Sequence, residues 1–270
     1  MRDRLSRLRI HSLRFCLGIA ALTFQTSSLI AADWSVGATI GNVPWEFQQQ
    51  DGSNAGFEVE LINEVAKRLG RTLEIENIPF EGLVPALLAN RVQIGISSLT
   101  ITQERLKSLA FAQPYYDSDQ SLTTLASSGI NELDALKGKK IGVDSAATSD
   151  IWATEHSAEY AFESINRYDA MNSAILDLSA GRIDAYIADM PAIAYFIKDK
   201  PQFRIVSRIT TGEQYSLVFN KDFGEIQAVN DALTVMKKEG YLAALHKKWF
   251  GTEAPADSST VVVKPMPKAE

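Results

Sequence analysis

Arg105 is the residue best suited to hold an anion. It closes the run Leu99-Thr-Ile-Thr-Gln-Glu-Arg105, in which Thr102 is a good helix N-cap. A planar guanidinium takes two carboxylate oxygens at once, where a lysine acts only as a point charge. Backbone N–H groups near Thr100 and at the start of the following helix add to an anion site, and Ser98 and Thr100 place hydroxyls beside it. On residue type alone, without the surrounding motif, Arg105 reads more readily as a solvated side chain on a short helix. Asp189 stands at the end of an apolar strand, where on local sequence alone a cap for the helix that runs through Pro191 is as good a reading as an acid that faces a ligand. Signatures of covalent or phosphoryl chemistry are missing: there is no G-x-S-x-G elbow, no G-x-x-x-x-G-K-S/T loop and no histidine pair at metal spacing. The three histidines, His11, His156 and His246, have no visible partners. The basic clusters Lys137, Lys139, Lys140 and Lys247-Lys248 read as solvated faces.

The elements that must position these residues begin after a leader. Arg2, Arg4, Arg7, Arg9 and Arg14 precede an apolar run from Phe15 to Phe24 and the small residues Ala31-Ala32, the pattern of a secretory signal over residues 1–32. The run is well short of the ~20 residues that span a bilayer. The full chain carries a net charge of −6, and without the five arginines and Asp3 of the leader it carries −10. Such an acidic surface disfavours nucleic acid and anionic lipid as partners. The only cysteine, Cys16, lies in the leader, so thiol catalysis and cysteine-ligated metal are excluded from the exported chain, and no cofactor or metal is expected. Without disulfides the chain depends on burial, and ~240 residues suffice for one or two ordinary cores.

Strand and helix signals alternate from Trp34 to Tyr241, which predicts an α/β protein with mostly parallel sheets. A helix is predicted over Gly56 to Leu69, with Phe57, Leu61, Ile62, Val65, Ala66 and Leu69 on one face. Glu58, Glu60, Glu64, Lys67 and Arg68 lie on the other, and Gly70 ends it. An internal echo relates Ala86–Ile96 to Asp177–Ile187, each read as a helix end, a turn and a strand. The two strands stop at Ser97-Ser98 and at Ala188-Asp189. Ligands of open α/β sheets bind beyond the carboxyl ends of strands, so two such ends would face each other across a cleft. Residues 252–270 lack useful periodicity and read as a mobile tail.

At Gly56-Phe-Glu-Val-Glu-Leu-Ile-Asn-Glu-Val-Ala-Lys-Arg-Leu69 the chain resembles the polar amino acid family of periplasmic solute-binding proteins, the receptors of ABC importers (bacterial extracellular solute-binding proteins, family 3). Seven further blocks follow the family's order: Val43-Pro-Trp-Glu-Phe47, Phe80-Glu-Gly-Leu-Val-Pro-Ala-Leu87, Leu99 to Arg105, Pro114-Tyr-Tyr116, Leu136-Lys-Gly-Lys-Lys-Ile-Gly-Val143, Gly181-Arg-Ile-Asp-Ala185 and Lys248-Trp-Phe-Gly251. Together they cover about residues 34–251. The resemblance implies a type II two-lobed fold with two hinge strands and a ligand cleft between the lobes. Lobe one then comprises residues 33–123 and 216–251, and lobe two residues 124–215. The chain would cross between them near Leu122–Leu125 and return near Gln214–Val218.

A free amino acid presents a carboxylate and an ammonium, and buried charges must be paired and hydrogen-bonded. The resemblance implies that Arg105 takes the carboxylate, helped by Ser98 and Thr100, and that Asp189 takes the ammonium. It implies further that Trp45 and Phe80 sandwich the side chain, while Trp249 and Phe250 pack against lobe one. Asn42 stands where many relatives have an aromatic ring, and Ala146-Ala147 replaces a Gly-Ser or Gly-Thr, leaving Thr148 and Ser149 to compensate. Asp144 falls where the family places a side-chain-selecting residue, and an acid there favours a cationic or hydrogen-bond-donating ligand. The expectation is a monomeric periplasmic protein, not an enzyme, that hands a free amino acid to the membrane permease of an ABC importer without itself inserting in the membrane. The alternative is a cyclohexadienyl or arogenate dehydratase on the same scaffold, for which Asp144 is the candidate acid.

Overall fold

The computed structural model describes residues 32–270, so apart from Ala32 the segment read as a secretory signal lies outside the described residues. The chain runs through β1 (Trp34–Ala38), the hairpin β2 (Phe47–Gln48) and β3 (Asn54–Ala55), α1 (Phe57–Leu69), β4 (Leu73–Asn77), α2 (Phe80–Leu88), β5 (Ile94–Gly95), α3 (Gln103–Ser108) and β6 (Leu109–Phe111). It continues through β7 (Tyr116–Leu125), β8 (Lys140–Asp144), α4 (Thr148–Tyr160), β9 (Ser164–Tyr168), α5 (Met171–Ser179), β10 (Ala185–Asp189), α6 (Met190–Ile197) and β11 (Phe203–Tyr215). It closes with β12 (Val218–Asn220), α7 (Ile226–Lys238) and α8 (Tyr241–Phe250). No helix among the described residues is long and apolar enough to cross a membrane.

Two five-stranded sheets result, in the orders β4-β1-β5-β12-β6 and β11-β7-β10-β8-β9. The expectation of mostly parallel sheets needs correction, because each sheet is mixed. In the first, β1 runs parallel to β4 and β5, while β12 is antiparallel to β5 and β6. In the second, β8 is parallel to β10 and β9, while β7 is antiparallel to β10 and β11. The cause is the pair of strands that carry the chain between sheets, since β7 and β11 run in opposite directions and pair from Tyr116↔Tyr215 to Leu125↔Phe203. The crossing comes earlier than expected: β6 ends at Phe111 and β7 already begins at Tyr116.

Helix α1 forms as its periodicity predicts and ends where Gly70 adopts the left-handed conformation (φ 65°), which a glycine reaches without steric cost. Its face of Phe57, Leu61, Ile62, Val65 and Ala66 is buried against β1, β5 and α7, α8 residues in one core cluster. Full burial of each larger apolar side chain is worth roughly 1.5–3 kcal/mol. Glu58, assigned by periodicity to the solvent face, is instead fully buried. The internal echo is real in three dimensions. Arg91 N–H bonds Ala86 O at the end of α2, and Arg182 N–H bonds Asp177 O at the end of α5, both at 2.9 Å. The turn residues Asn90 (φ 54°) and Gly181 (φ 69°) are both left-handed.

Residues 252–270 form no helix or strand, but they are docked rather than free. Ser258, Ser259 and Thr260 are 8, 0 and 2% exposed: Ser258 closes a turn onto Pro255 O, while Ser259 and Thr260 find partners on the body of the protein at Asp117 and Tyr115. Periodicity carries no signal for a segment held by polar anchors, so the sequence reads it as tail.

Candidate functional site

A cavity of about 170 Å³ opens between the two sheets, where one water needs about 10–15 Å³. From the first sheet it receives Thr39–Asn42 after β1, Phe80 and Glu81 at the start of α2, Ser97 and Ser98 after β5, Thr100, and Arg105 of α3. From the second come Asp144, Ser145, Ala147 and Thr148 from the end of β8 to the start of α4, Tyr168–Asn172 from the end of β9 into α5, Ala188 and Asp189 at the end of β10, and Ala192 of α6. Most of these groups follow strand carboxyl ends, where helices start and side chains converge. The echoed strands β5 and β10 thus deliver Ser97-Ser98 and Asp189 to one space.

Arg105 is fixed on three sides. Thr102 caps α3 by accepting from Arg105 N at 3.1 Å, Nη1 donates to Thr100 O at 2.8 Å, and Cζ lies 5.7 Å from the Phe80 ring centre. Nη2 reaches Ala146 O at 3.4 Å, a contact from the first sheet's side to the second's. A second such contact joins Ser145 Oγ to Glu81 Oε2 at 3.1 Å. Burial pulls the guanidinium pKa down, while the charges of Asp189 and Glu213 oppose that.

Asp189 is held by other partners: Gln120 Nε2 donates to Oδ1 at 2.6 Å and the Tyr215 hydroxyl to Oδ2 at 2.5 Å. Burial pushes its pKa up to about 7, with Glu213 adding to the rise. Each of the two groups is therefore positioned by its own neighbours rather than by the other. Asp144, bonded by the Tyr186 hydroxyl at 2.6 Å, is raised by burial to about 6.

Eight of the ten expected site residues line this cavity: Asn42, Phe80, Ser98, Thr100, Arg105, Asp144, Thr148 and Asp189. Two do not. Trp45 is fully buried behind the site, with Phe57, Tyr116, Tyr215 and Phe250 ring centres at 4.7–5.5 Å. Its backbone is tied to the start of α1, where Glu58 N donates to Trp45 O, and this turns the ring into the core. Ser149 is also buried, with an unpartnered hydroxyl, because one step along α4 rotates a side chain about 100° away from Thr148. The aromatic ring that joins Phe80 in the cavity wall is Tyr168, whose hydroxyl is bonded to Asp177. Trp249 and Phe250 pack where expected, against Phe47 and Trp45.

Two groups of functional residues have no simple sequence signal. Glu213 accepts from Thr100 Oγ1 at 2.9 Å and Thr148 Oγ1 at 3.0 Å, and Gln120 Nε2 lies within hydrogen-bond reach of Glu213, Thr148 and Asp189. A bulge between Ile209 and Glu213 re-aims this part of β11. Asp119 pins the bulge by accepting from the amides of Thr211 and Gly212, and the left-handed Gly212 is the one local hint of it.

The other group is a buried pair of carboxyls, Glu46 and Glu58, directly behind the cavity wall. Glu46 Oε1 accepts from Asn42 Nδ2 at 3.0 Å and Ser97 Oγ at 2.8 Å. Glu58 accepts from Ser98 N at 2.8 Å and from the Tyr115 hydroxyl. No cation is among these partners. Burial, with the charge of Glu58, pushes Glu46 well above the ordinary carboxylate range, and burial raises Glu58 as well. Ser97 (φ 152°) and Ser98 (φ 46°) are both held in conformations unusual for non-glycine residues, which the carboxyls help to impose. Glu58→Ala is expected to lower the unfolding free energy by about 3 kcal/mol, since it strands a buried amide and a buried hydroxyl. Glu46→Gln keeps an uncharged acceptor there and is expected to cost about 1 kcal/mol or less. Urea unfolding of both variants checks the pair, and equal losses would contradict it.

Residues 35–252 match the family described as bacterial extracellular solute-binding proteins, family 3. The chain is 34% identical over 214 residues to the L-cystine-binding protein TcyJ of Escherichia coli (strain K12), covering 78% of this chain and 79% of that protein. It is 32% identical over 221 residues to the arginine-binding extracellular protein ArtP of Bacillus subtilis (strain 168), covering 81% and 86%. Among solved structures, the arginine-, lysine-, histidine-binding protein ArtJ from Geobacillus stearothermophilus is similar with a TM-score of 0.76 and 31% identity, over 83% of this chain and 97% of that one.

Proposed function

Because the chain belongs to the bacterial extracellular solute-binding proteins, family 3, we propose that its cavity captures one free amino acid, with Arg105 on the carboxylate and Asp189 on the ammonium. The observation that carries this reading is the convergence on one cavity of those two oppositely charged groups, one from α3 between two strands of the first sheet and one from β10 of the second. Residues 33–115 with 216–251 act as one lobe and the segment between as the other, hinged at β7 and β11. A ligand that touches both lobes binds the closed arrangement better and shifts the hinge equilibrium toward it.

The ligand's side chain carries positive charge or several donors. Glu81, Asp144, Asp169 and Asp189 line the cavity, and Arg105 is the one cationic residue there among the described residues. After the zwitterion is matched, the surplus is negative. The names of the similar proteins agree, since they bind cystine, arginine, lysine or histidine. Binding is micromolar or tighter, about −8 kcal/mol or better. The protein is a periplasmic monomer, exported by its first 32 residues, that delivers its ligand to an ABC importer permease and catalyses no reaction.

A thermal-shift screen of amino acids, cystine included, tests this reading, because a ligand at 100 times Kd stabilises by about 2.7 kcal/mol. One or a few should raise the melting temperature by several degrees, and uniform silence would refute the proposal. Asp144→Ala is expected to reduce the preference for the best ligand over a neutral competitor about tenfold in calorimetry. An unchanged order and spacing of affinities would remove Asp144 from selectivity.

A further inference from the structure

We infer that residues 258–264 form a strap that fastens the two crossing strands and sets how freely the hinge opens. The family match ends at residue 252, yet the chain beyond it is anchored at four successive places along residues 113–117, where the chain crosses from one sheet to the other. Lys264 N donates to Gln113 Oε1 at 3.2 Å, and Lys237 Nζ of α7 bridges Pro114 O and Val262 O at 2.6 and 3.1 Å. Thr260 Oγ1 donates to Tyr115 O at 2.9 Å.

The fourth anchor bears directly on the hinge. Asp117 of β7 and Gln214 of β11 are register partners, and Ser259 joins both. Its amide donates to Asp117 Oδ2 at 2.7 Å, its hydroxyl donates to Asp117 Oδ1 at 2.5 Å, and the same hydroxyl accepts from Gln214 Nε2 at 2.8 Å. Gln214 Nε2 also donates to Asp117 Oδ1 at 2.9 Å, so the three side chains close a ring over one rung of the strand pair. Ser259 is fully buried, so water cannot replace these bonds without the strap lifting.

A hinge works by letting a few strand or loop residues absorb changes in φ and ψ. Fastening both strands at the first-sheet end of their pairing keeps them from splaying there and confines bending to the residues further along. The strap thus limits the open population, and through it the escape of the ligand, since related affinities differ mainly in dissociation rate. This rests on the closure reading proposed above, but its first readout needs no ligand.

Two full-length variants test it, Ser259→Ala and, more severely, Asp117→Ala, which removes the acceptor of three of the four bonds in the ring. Small-angle scattering of the ligand-free chain should show a larger radius of gyration in each. Stopped-flow dissociation of the amino acid found by thermal shift should be about tenfold faster, the factor expected of one or two lost hydrogen bonds. If Asp117→Ala fails to fold, Ser259→Ala decides. Lower thermal stability with an unchanged radius and unchanged dissociation would make the segment a passive anchor and overturn the inference. If the parent chain binds no amino acid, the proposed function falls, while scattering alone still supports or overturns the strap.

Discussion

Arg105→Ala is expected to weaken amino acid binding about a thousandfold, a loss of roughly 4 kcal/mol, while changing the melting temperature of the empty chain little. The loss is large because the variant leaves the ligand's carboxylate desolvated without its fork of donors. Part of it also comes from the wall, since the guanidinium bridges Thr100 O and Ala146 O across the cavity. Ala146 (φ 61°) holds a left-handed turn there that glycine would adopt without strain, and its carbonyl is one of the groups that aims Arg105. Arg105→Lys keeps the charge but not the fork, and is expected to recover only part of the affinity. Calorimetry of both variants distinguishes the bidentate role from a general positive potential: equal affinities for Lys and Arg would favour the latter.

The second large effect belongs to Asp189. Asp189→Asn is expected to lower affinity about a hundredfold at pH 8, because an amide cannot balance the ligand's ammonium. The same residue gives binding a pH dependence whose sign is fixed by its environment. Burial raises the carboxyl to about 7 in the empty chain, so below that pH it carries a proton that the ammonium must displace. Affinity should therefore rise from pH 5 toward pH 7, by up to about tenfold per unit, and level off above. Asp144, raised by burial to about 6, adds in the same direction. For the empty chain the linkage runs the other way: the folded state binds these protons more tightly than the unfolded one, so stability falls as pH rises from about 4 to about 7. Titration calorimetry at four pH values checks the binding slope and urea unfolding of the empty chain checks the stability slope, and the Asn variant should lose most of the binding slope.

How much of this could be read from sequence depends on the range of the forces involved. Helix α1, its Gly70 stop and the Thr102 cap follow from neighbours within a turn or two, and all three are found. The echo that pairs β5 with β10 is local grammar repeated, and it located both polar strand ends that meet in the cavity. Trp45, Glu58 and Ser149 went astray for a common reason: helical and aromatic patterns say that a residue is amphipathic or large, not which of two surfaces it will face. Glu58 is buried only because Glu46, Tyr115 and the Ser98 amide arrive from elsewhere in the chain to satisfy it. Glu213 and Gln120 depend on a bulge and on two strands meeting after more than ninety residues. The docked tail depends on hydroxyls and amides whose partners lie over a hundred residues away.

A crystal structure of the chain with the amino acid that most raises its melting temperature bears most directly on the whole account. The ligand carboxylate should accept two hydrogen bonds from Arg105, with its ammonium against Asp189 and its side chain directed toward Asp144. A ligand seated in the cavity with both of those charged groups unengaged would contradict the account at its root.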